Sequence, residues 1–208
     1  MIITGRDDER LRAAAADIGG ARSAAVDAHD HDLLVEFFAG LDEPVDHVFV
    51  AAGGPYYAPL ADIDLATAKE AFSAPLVLMV DLARVAPSKM NAGGTLLFMS
   101  GTGARRPAPG MTVIAAAIAA TTAAAATLAL EIAPVRINLI AAGFVDTPLS
   151  ARLLGEGLDR RREELARTLP VRRVVQADDV ASVAFHLMLN GAVTGSVYDV
   201  DGGQSLLP

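Results

Sequence analysis

At 208 residues the chain is long enough for one domain with a substantial core and too short for two comfortable ones. Hydrophobic residues make up 52% and charged residues 20%, a globular balance that excludes a disordered chain. A formal net charge of -8 excludes a phosphate-neutralising surface, so no nucleic-acid partner is expected, and the absence of cysteine excludes disulfides and thiolate metal sites.

Residues 2–5 begin inside an apolar strand that ends at Thr4-Gly5-Arg6. Asp7 is placed to cap a helix through about residue 18, with its early acids favourable at the N-terminus, and Gly19-Gly20 supply its C-terminal turn. Residues 21–28 read as a short strand ending at Asp27. His29 and His31, among Asp27, Asp30 and Asp32, read as a solvated loop and helix start; no metal site is expected there. Asp30 starts an amphipathic helix with Leu33, Leu34, Phe37 and Phe38 on its inner side. Residues 46–54 (DHVFVAAGG) form the next strand and turn, with the continuous apolar run of a strand buried on both faces. After a loop over 55–63, Asp64 caps a long helix reaching about residue 89, where Pro75 and Pro87 suggest a kink and an end.

Gly93-Gly94 lead into a strand over 95–100. From residue 107 to residue 130 there is not one charge, the length of a membrane-spanning run. The run is mostly alanine with Thr121, Thr122 and Thr127, however, so its transfer energy is weak beside a Leu/Ile/Phe segment. Alanine is the best helix former, and its small side chain lets helices approach closely. A core or interface helix is therefore expected, lying on a sheet and on a symmetry mate, and no membrane partner. Residues 134–141 form another strand and 149–169 one or two short helices over a cleft. Arg160 to Arg162, Arg172 and Arg173 alternate with Glu163 and Glu164, as on a solvated helix face. Asp178 or Asp179 caps a helix to residue 189, and residues 196–200 form the last strand. Strands alternating with helices predict an α/β fold, a parallel sheet covered on both faces, as one domain over 1–208. Met1-Ile2-Ile3-Thr4-Gly5 carries no basic leader or sufficient apolar run, and a cytoplasmic location is expected.

Three stretches carry a family resemblance: LLFMSGTG at 96–103, VRINLIAAGFVDTP at 135–148 and TGSVYDVDGG at 194–203. With the long helix between the first two, the chain resembles the short-chain dehydrogenase/reductase family. The resemblance implies a Rossmann-like parallel sheet of about six strands with helices on both faces, an NAD(P)-dependent oxidoreductase and a homo-oligomer. The family's catalytic Ser, Tyr and Lys fall on Gly101, Ile114 and Ile118, so all three groups are missing. The family's first βα unit, with its glycine-rich pyrophosphate loop, is missing too. The first strand here resembles the family's second, and the family places its own first strand between the second and fourth. Its absence leaves backbone groups unpaired on both neighbours unless these close up directly.

The resemblance further assigns cofactor positions. Arg6 stands at the 2′-phosphate discriminator and implies NADP, although an exposed arginine pairing with Asp7 or Asp8 explains it equally. Asp27 and Ala28 match the adenine edge. Ala52 and Gly53 match the family's Asn-Ala-Gly turn, with Ala51 for the asparagine. Gly143, Val145 and Thr147 match the loop framing the nicotinamide; Thr147 serves equally as a helix cap before Pro148. Candidates for relocated chemistry are Tyr56, Tyr57, Ser100 and Arg105, because a cation beside a tyrosine favours tyrosinate. Two functions stand open: an oxidoreductase with atypical catalytic groups acting on a small molecule, and a non-catalytic binding or interaction module.

Overall fold

The computed structural model describes residues 1–207. Along them run β1 (Ile2–Gly5), α1 (Asp8–Asp17), β2 (Arg22–Ala25), α2 (His31–Ala39), β3 (Val45–Val50), α3 (Leu65–Val85), β4 (Met90–Gly101) and α4 (Thr112–Glu131). β5 (Arg136–Ala142), β6 (Val145–Asp146), α5 (Pro148–Leu154), α6 (Leu158–Thr168), β7 (Val175–Gln176), α7 (Ala177–Leu189) and β8 (Ser196–Val200) complete the order. All strand pairs are parallel.

The six longer strands do not form one sheet. β3, β4, β5 and β8 pair in that order, β1 pairs only with β2, and β6 with β7. β1 and β3 have not closed up on each other, so among the described residues each keeps one unpaired edge. The two sheets are nevertheless held by one side-chain layer. Ile2 and Ala24 from the β1–β2 pair and Val45 and Val48 from β3 pack on the cluster built around Leu34, Phe38, Leu78, Met79, Leu96 and Phe98. A second cluster on the opposite face joins Leu97 and Ile140 to Val180, Ala184 and Leu187 of α7. Leu96 and Leu97, adjacent on β4, thus serve opposite faces, as strand alternation requires.

Local signals explain most element ends. Asp7, Asp30 and Asp64 cap α1, α2 and α3 by accepting from the N–H groups of Arg10, Leu33 and Thr67. Gly19 and Gly20 take left-handed φ values of 79° and 95°, and their N–H groups return to Ala16 and Ala15 at the end of α1. Pro148 opens α5 behind its cap, Thr147. Two expectations need correction. β4 begins at Met90 and not at Thr95. The N-cap of α7 is Gln176, because Asp179 is drawn into the first turn: its carboxylate accepts from the Gln176 N–H at 2.9 Å and from Arg173 at 2.6 and 2.7 Å. Those bonds hold Asp179 down to about 2.

α3 and α4 are the two helices long and apolar enough to cross a membrane. Both lie against the sheet here. α4 buries one stripe, Ala117, Thr121, Ala125 and Ala129, at helical spacing of four. The buried Thr121 hydroxyl is satisfied within the helix by the carbonyls of Ala117 and Ile118. The opposite faces remain open, with Phe72 and Val77 on α3 and Leu130 on α4 among the exposed apolar side chains.

The deepest polar seam lies under β5. Arg136 is buried and among the described residues forms no ion pair; its guanidinium donates to the carbonyls of Gly93, Leu187, Met188 and Val193 at 2.8–3.0 Å. Three of these carbonyls lie at or beyond the last turn of α7, where unpaired C=O groups welcome a cation. Burial lowers the Arg136 pKa without removing its charge. Fully buried Asn138 donates to Val193 C=O and accepts from Ser196 N–H. The seam fixes β8 and α7 against β5.

Candidate functional site

The C-terminal ends of the parallel strands point one way, where ligands of open α/β sheets bind. At the end of β1 and β2 a cleft of about 320 Å³ is lined by Arg6, Asp27, Ala28 and His29 on one wall and by Glu70, Ser73, Ala74, Val77, Leu78 and Asp81 of α3 on the other. This brings together three of the sequence-assigned cofactor positions, Arg6, Asp27 and Ala28. Arg6 is exposed, and its neighbours are committed elsewhere: Asp7 caps α1, while Asp8 pairs with Arg12. Among the described residues Arg6 has no ion pair, so a pairing with Asp7 or Asp8 does not account for it. Asp27 turns inward to accept from the His29 N–H at 3.0 Å. Asp81 accepts from or shares a proton with His31 Nδ1 at 2.7 Å. The α3 wall was missed in the sequence, although Glu70, Ser73 and Asp81 sit on one helical stripe with Ala74 and Val77, a visible polar interruption of an apolar helix.

Ala52 and Gly53 stand on an exposed turn after β3. Gly53 has φ 107°, and a Cβ there would meet nothing within 4 Å, so the glycine is required by backbone conformation and not by packing.

Of Gly101, Ile114 and Ile118, the first and last come together. A Cβ added at Gly101 would stand 3.1 Å from Ile118 Cδ1, and one at Gly103 would stand 3.4 Å from the same atom and 2.7 Å from Met111 Cε. Hydrocarbon therefore fills the place between the end of β4 and the first turns of α4. Ile114 and Ile118, both half-buried, offer neither a proton nor a charge. Ser100 precedes Gly101 on β4, half-buried and paired in register with Ala141.

The relocated candidates have separate partners. The Tyr56 hydroxyl accepts from the Asp64 N–H at 3.1 Å, at the start of α3. Tyr57 is 55% exposed, and its partial burial raises its pKa, opposite to what a tyrosinate needs. Their loop is tied to the loop after β4 through Ala58 N–H and Gly110 C=O at 3.1 Å. Arg105, on that second loop, reaches away to form an ion pair with Asp199 of β8. It is thus engaged with a carboxylate and not with either tyrosine. Asp201 lies nearby: burial pushes its carboxyl up, but N–H donors on Ser205 and Gly203 outweigh this and hold it low.

The loop after β5 is occupied by structural bonds. Gly143 passes so close to the C-terminal turn that a Cβ would stand 2.7 Å from Asp201 Cβ and from Gln204 Oε1. Val145 belongs to β6 and pairs with Val175. Thr147 accepts from Ser150 N–H as the α5 cap, and its hydroxyl lies 2.9 Å from Ser150 Oγ. Asp146 beside it holds Arg162 at 2.8 and 2.9 Å, so that this arginine of α6 is pinned and not merely solvated.

A dinucleotide fits this arrangement unevenly. The β1–β2 cleft offers a free guanidinium, a carboxylate and room for an adenosine end. Among the described residues no glycine-rich turn opens a helix beside it to cradle a pyrophosphate.

The comparisons with known proteins agree with the fold. The family model described as enoyl-(acyl carrier protein) reductase matches residues 1–205. ATR9, a short-chain dehydrogenase/reductase of Stachybotrys chlorohalonatus (strain IBT 40285), is 33% identical over 170 residues, covering 78% of this chain and 65% of that protein. The NADH enoyl-acyl-carrier-protein reductase FabI of Rickettsia bellii (strain RML369-C) is 35% identical over 133 residues, 62% of this chain and 50% of its own. The chain thus spans half to about two thirds of the length of these curated relatives. The crystal structure of a small-chain dehydrogenase in complex with NADPH superposes with a TM-score of 0.84 at 26% identity, covering 99% of this chain and 98% of that one. The chain belongs to the short-chain dehydrogenase/reductase family.

Proposed function

We propose that the protein is an oxidoreductase-class, NADP-type dinucleotide binder whose chemistry does not run through the family's Ser–Tyr–Lys relay. The observation that carries the cofactor part is the unpaired Arg6 at the mouth of the β1–β2 cleft. A guanidinium there favours a 2′-phosphate, while an acid would favour a bare ribose. The NADPH-bound neighbour lends support, as does Asp27 on the wall of the same cleft, which we assign to the adenine side. Glu70 and Asp81 on the facing wall oppose a second negative charge, which makes Arg6 the determinant of preference. Bound NADPH would supply hydride; this chain's residues would hold its adenosine end. In the cytoplasm, the expected location, NADPH is available to such a site.

A second reading, a non-catalytic binding module, draws on Gly101, Ile114 and Ile118. With no side chain at the first and hydrocarbon at the other two, nothing there can move a proton. The exposed apolar faces of α3 and α4 favour a homo-oligomer under either reading, since paired small-residue helices approach closely across a two-fold axis. The test is titration of the purified chain with NADPH and NADH, followed by fluorescence of the reduced nicotinamide; the chain has no tryptophan to interfere. NADPH is expected to bind about tenfold more tightly than NADH, the worth of one charge-assisted contact. Equal affinities would remove Arg6 from its role. Absence of binding at millimolar cofactor would leave only the second reading.

A further inference from the structure

We propose that His31, acting through Asp81, sets how strongly the β1–β2 cleft prefers a 2′-phosphate over a bare ribose, and that it makes this preference pH-dependent, a regulation that rests on the NADP reading of the same cleft. Asp81 faces two ways. Its carboxylate, 15% exposed, lines the cleft from α3 beside Glu70, on the wall opposite Arg6. One of its oxygens also lies 2.7 Å from Nδ1 of His31, the first residue of α2. His31 is not part of the cleft lining, and its ring is half exposed, so it exchanges protons with solvent without touching a ligand.

The consequence is a matter of charge. Beside a neutral imidazole, Asp81 presents a full negative charge to the cleft and opposes an added phosphate. Beside an imidazolium the pair is neutral as a unit, and Arg6 contends only with Asp27 and Glu70 for the phosphate. Histidine is the side chain that makes such a change between pH 5 and 8. The remaining charged groups near the pair are engaged or turned to solvent. Asp30 caps α2 by accepting from Leu33 N–H, and Asp27 accepts from His29 N–H. Asp32 on α2 and Arg84, one turn beyond Asp81 on α3, are exposed. Lys89 donates to the carbonyls of Ala39 and Leu41 at the far end of α2. His29 lines the cleft itself and is the competing source of any pH effect.

The test is calorimetric titration of the full chain with NADP⁺ and NAD⁺ from about pH 5.5 to about pH 8.5. His31→Gln keeps an amide that can donate to Asp81 and carries no charge at any pH. Over this range the parent's preference for NADP⁺ should fall about two- to fivefold more than that of His31→Gln. The 2′-phosphate's own titration, at about 6, is common to both chains and cancels in the comparison. At the alkaline end parent and His31→Gln should agree, while Asp81→Asn should bind NADP⁺ about two- to fivefold more tightly than either. Near neutral pH, saturating NADP⁺ should move the His31 ring proton signals, identified by their loss in His31→Gln, towards the imidazolium position. NAD⁺ should move them less, because anion binding and protonation favour each other reciprocally. Equal pH profiles for parent and His31→Gln would overturn the proposal and leave the cofactor reading standing. So would an extra fall that persists in His31→Gln and vanishes in His29→Gln, which would assign the effect to His29. Absence of NADP⁺ binding throughout the range would remove the cofactor reading and the role of His31 together.

Discussion

The β1–β2 pair and the β3–β4–β5–β8 sheet are made of the same parallel strand geometry but solve different problems. In the larger sheet, Arg136 to Ile140 and Ala141 of β5 are all buried, and their polar groups are spoken for by the Arg136 and Asn138 seam. In the smaller pair no residue of either strand is fully buried, and each strand is four residues long. Under the proposed function, the contrast separates stability from recognition. Free polar groups, the Arg6 guanidinium and the unpaired strand edges, gather where burial is least. Where the core is deepest, the buried polar groups are consumed by the fold.

Breaking the large sheet should have the greatest effect. Arg136→Met strips four carbonyls of their donor and should cost roughly 3 kcal/mol or more in urea unfolding. Leu139→Ala, at a fully buried position, should cost about 2–5 kcal/mol, whereas Ile2→Ala in the half-buried β1 should cost about 1 kcal/mol in the same measurement. Similar losses at both sites would erase the distinction between the sheets. Gly143→Ala should cost about 1–3 kcal/mol, because its Cβ would press on Asp201 and Gln204; a neutral change would show that the C-terminal turn gives way.

Smaller effects sharpen the recognition side. Arg6→Ala should leave urea unfolding unchanged and abolish an about tenfold preference for NADPH over NADH. The smallest expected effect is electrostatic. Asp179 lies at about 2 in the folded chain against an ordinary 3.8, so its bonds to Arg173 and Gln176 contribute stability fully above pH 3.8. That contribution is lost as pH falls from 3.8 through about 2. Arg173→Ala should therefore be less stable than the parent near neutral pH and indistinguishable from it at the acid end. An acid titration by NMR that finds the Asp179 carboxyl near its ordinary value would remove the effect.

Much of this was legible in the sequence, for identifiable reasons. Caps at Asp7, Asp30 and Asp64 are local, and so is the Gly19-Gly20 turn, so neighbouring residues suffice to place them. The final strand at 196–200, rich in valine and tyrosine, is bounded by turn residues. What escaped was decided by distant partners. Gln176 caps α7 because Arg173 captures Asp179; Arg105 turns to Asp199, 94 residues away in sequence. The split of the sheet could be posed from the sequence, but whether β1 and β3 close up depends on packing in three dimensions. The α3 wall of the cleft required knowing which helix face meets β1.

The most direct test of the division between a stable sheet and a recognising one is native-state hydrogen exchange with and without NADPH. NADPH is expected to slow exchange around residues 5–8, 26–29 and the 70–81 face of α3, while the buried amides of β5 exchange slowly with or without it. Protection confined to residues 101–111 and 143–147, with none at Arg6 and Asp27, would place recognition in the stable half and contradict it.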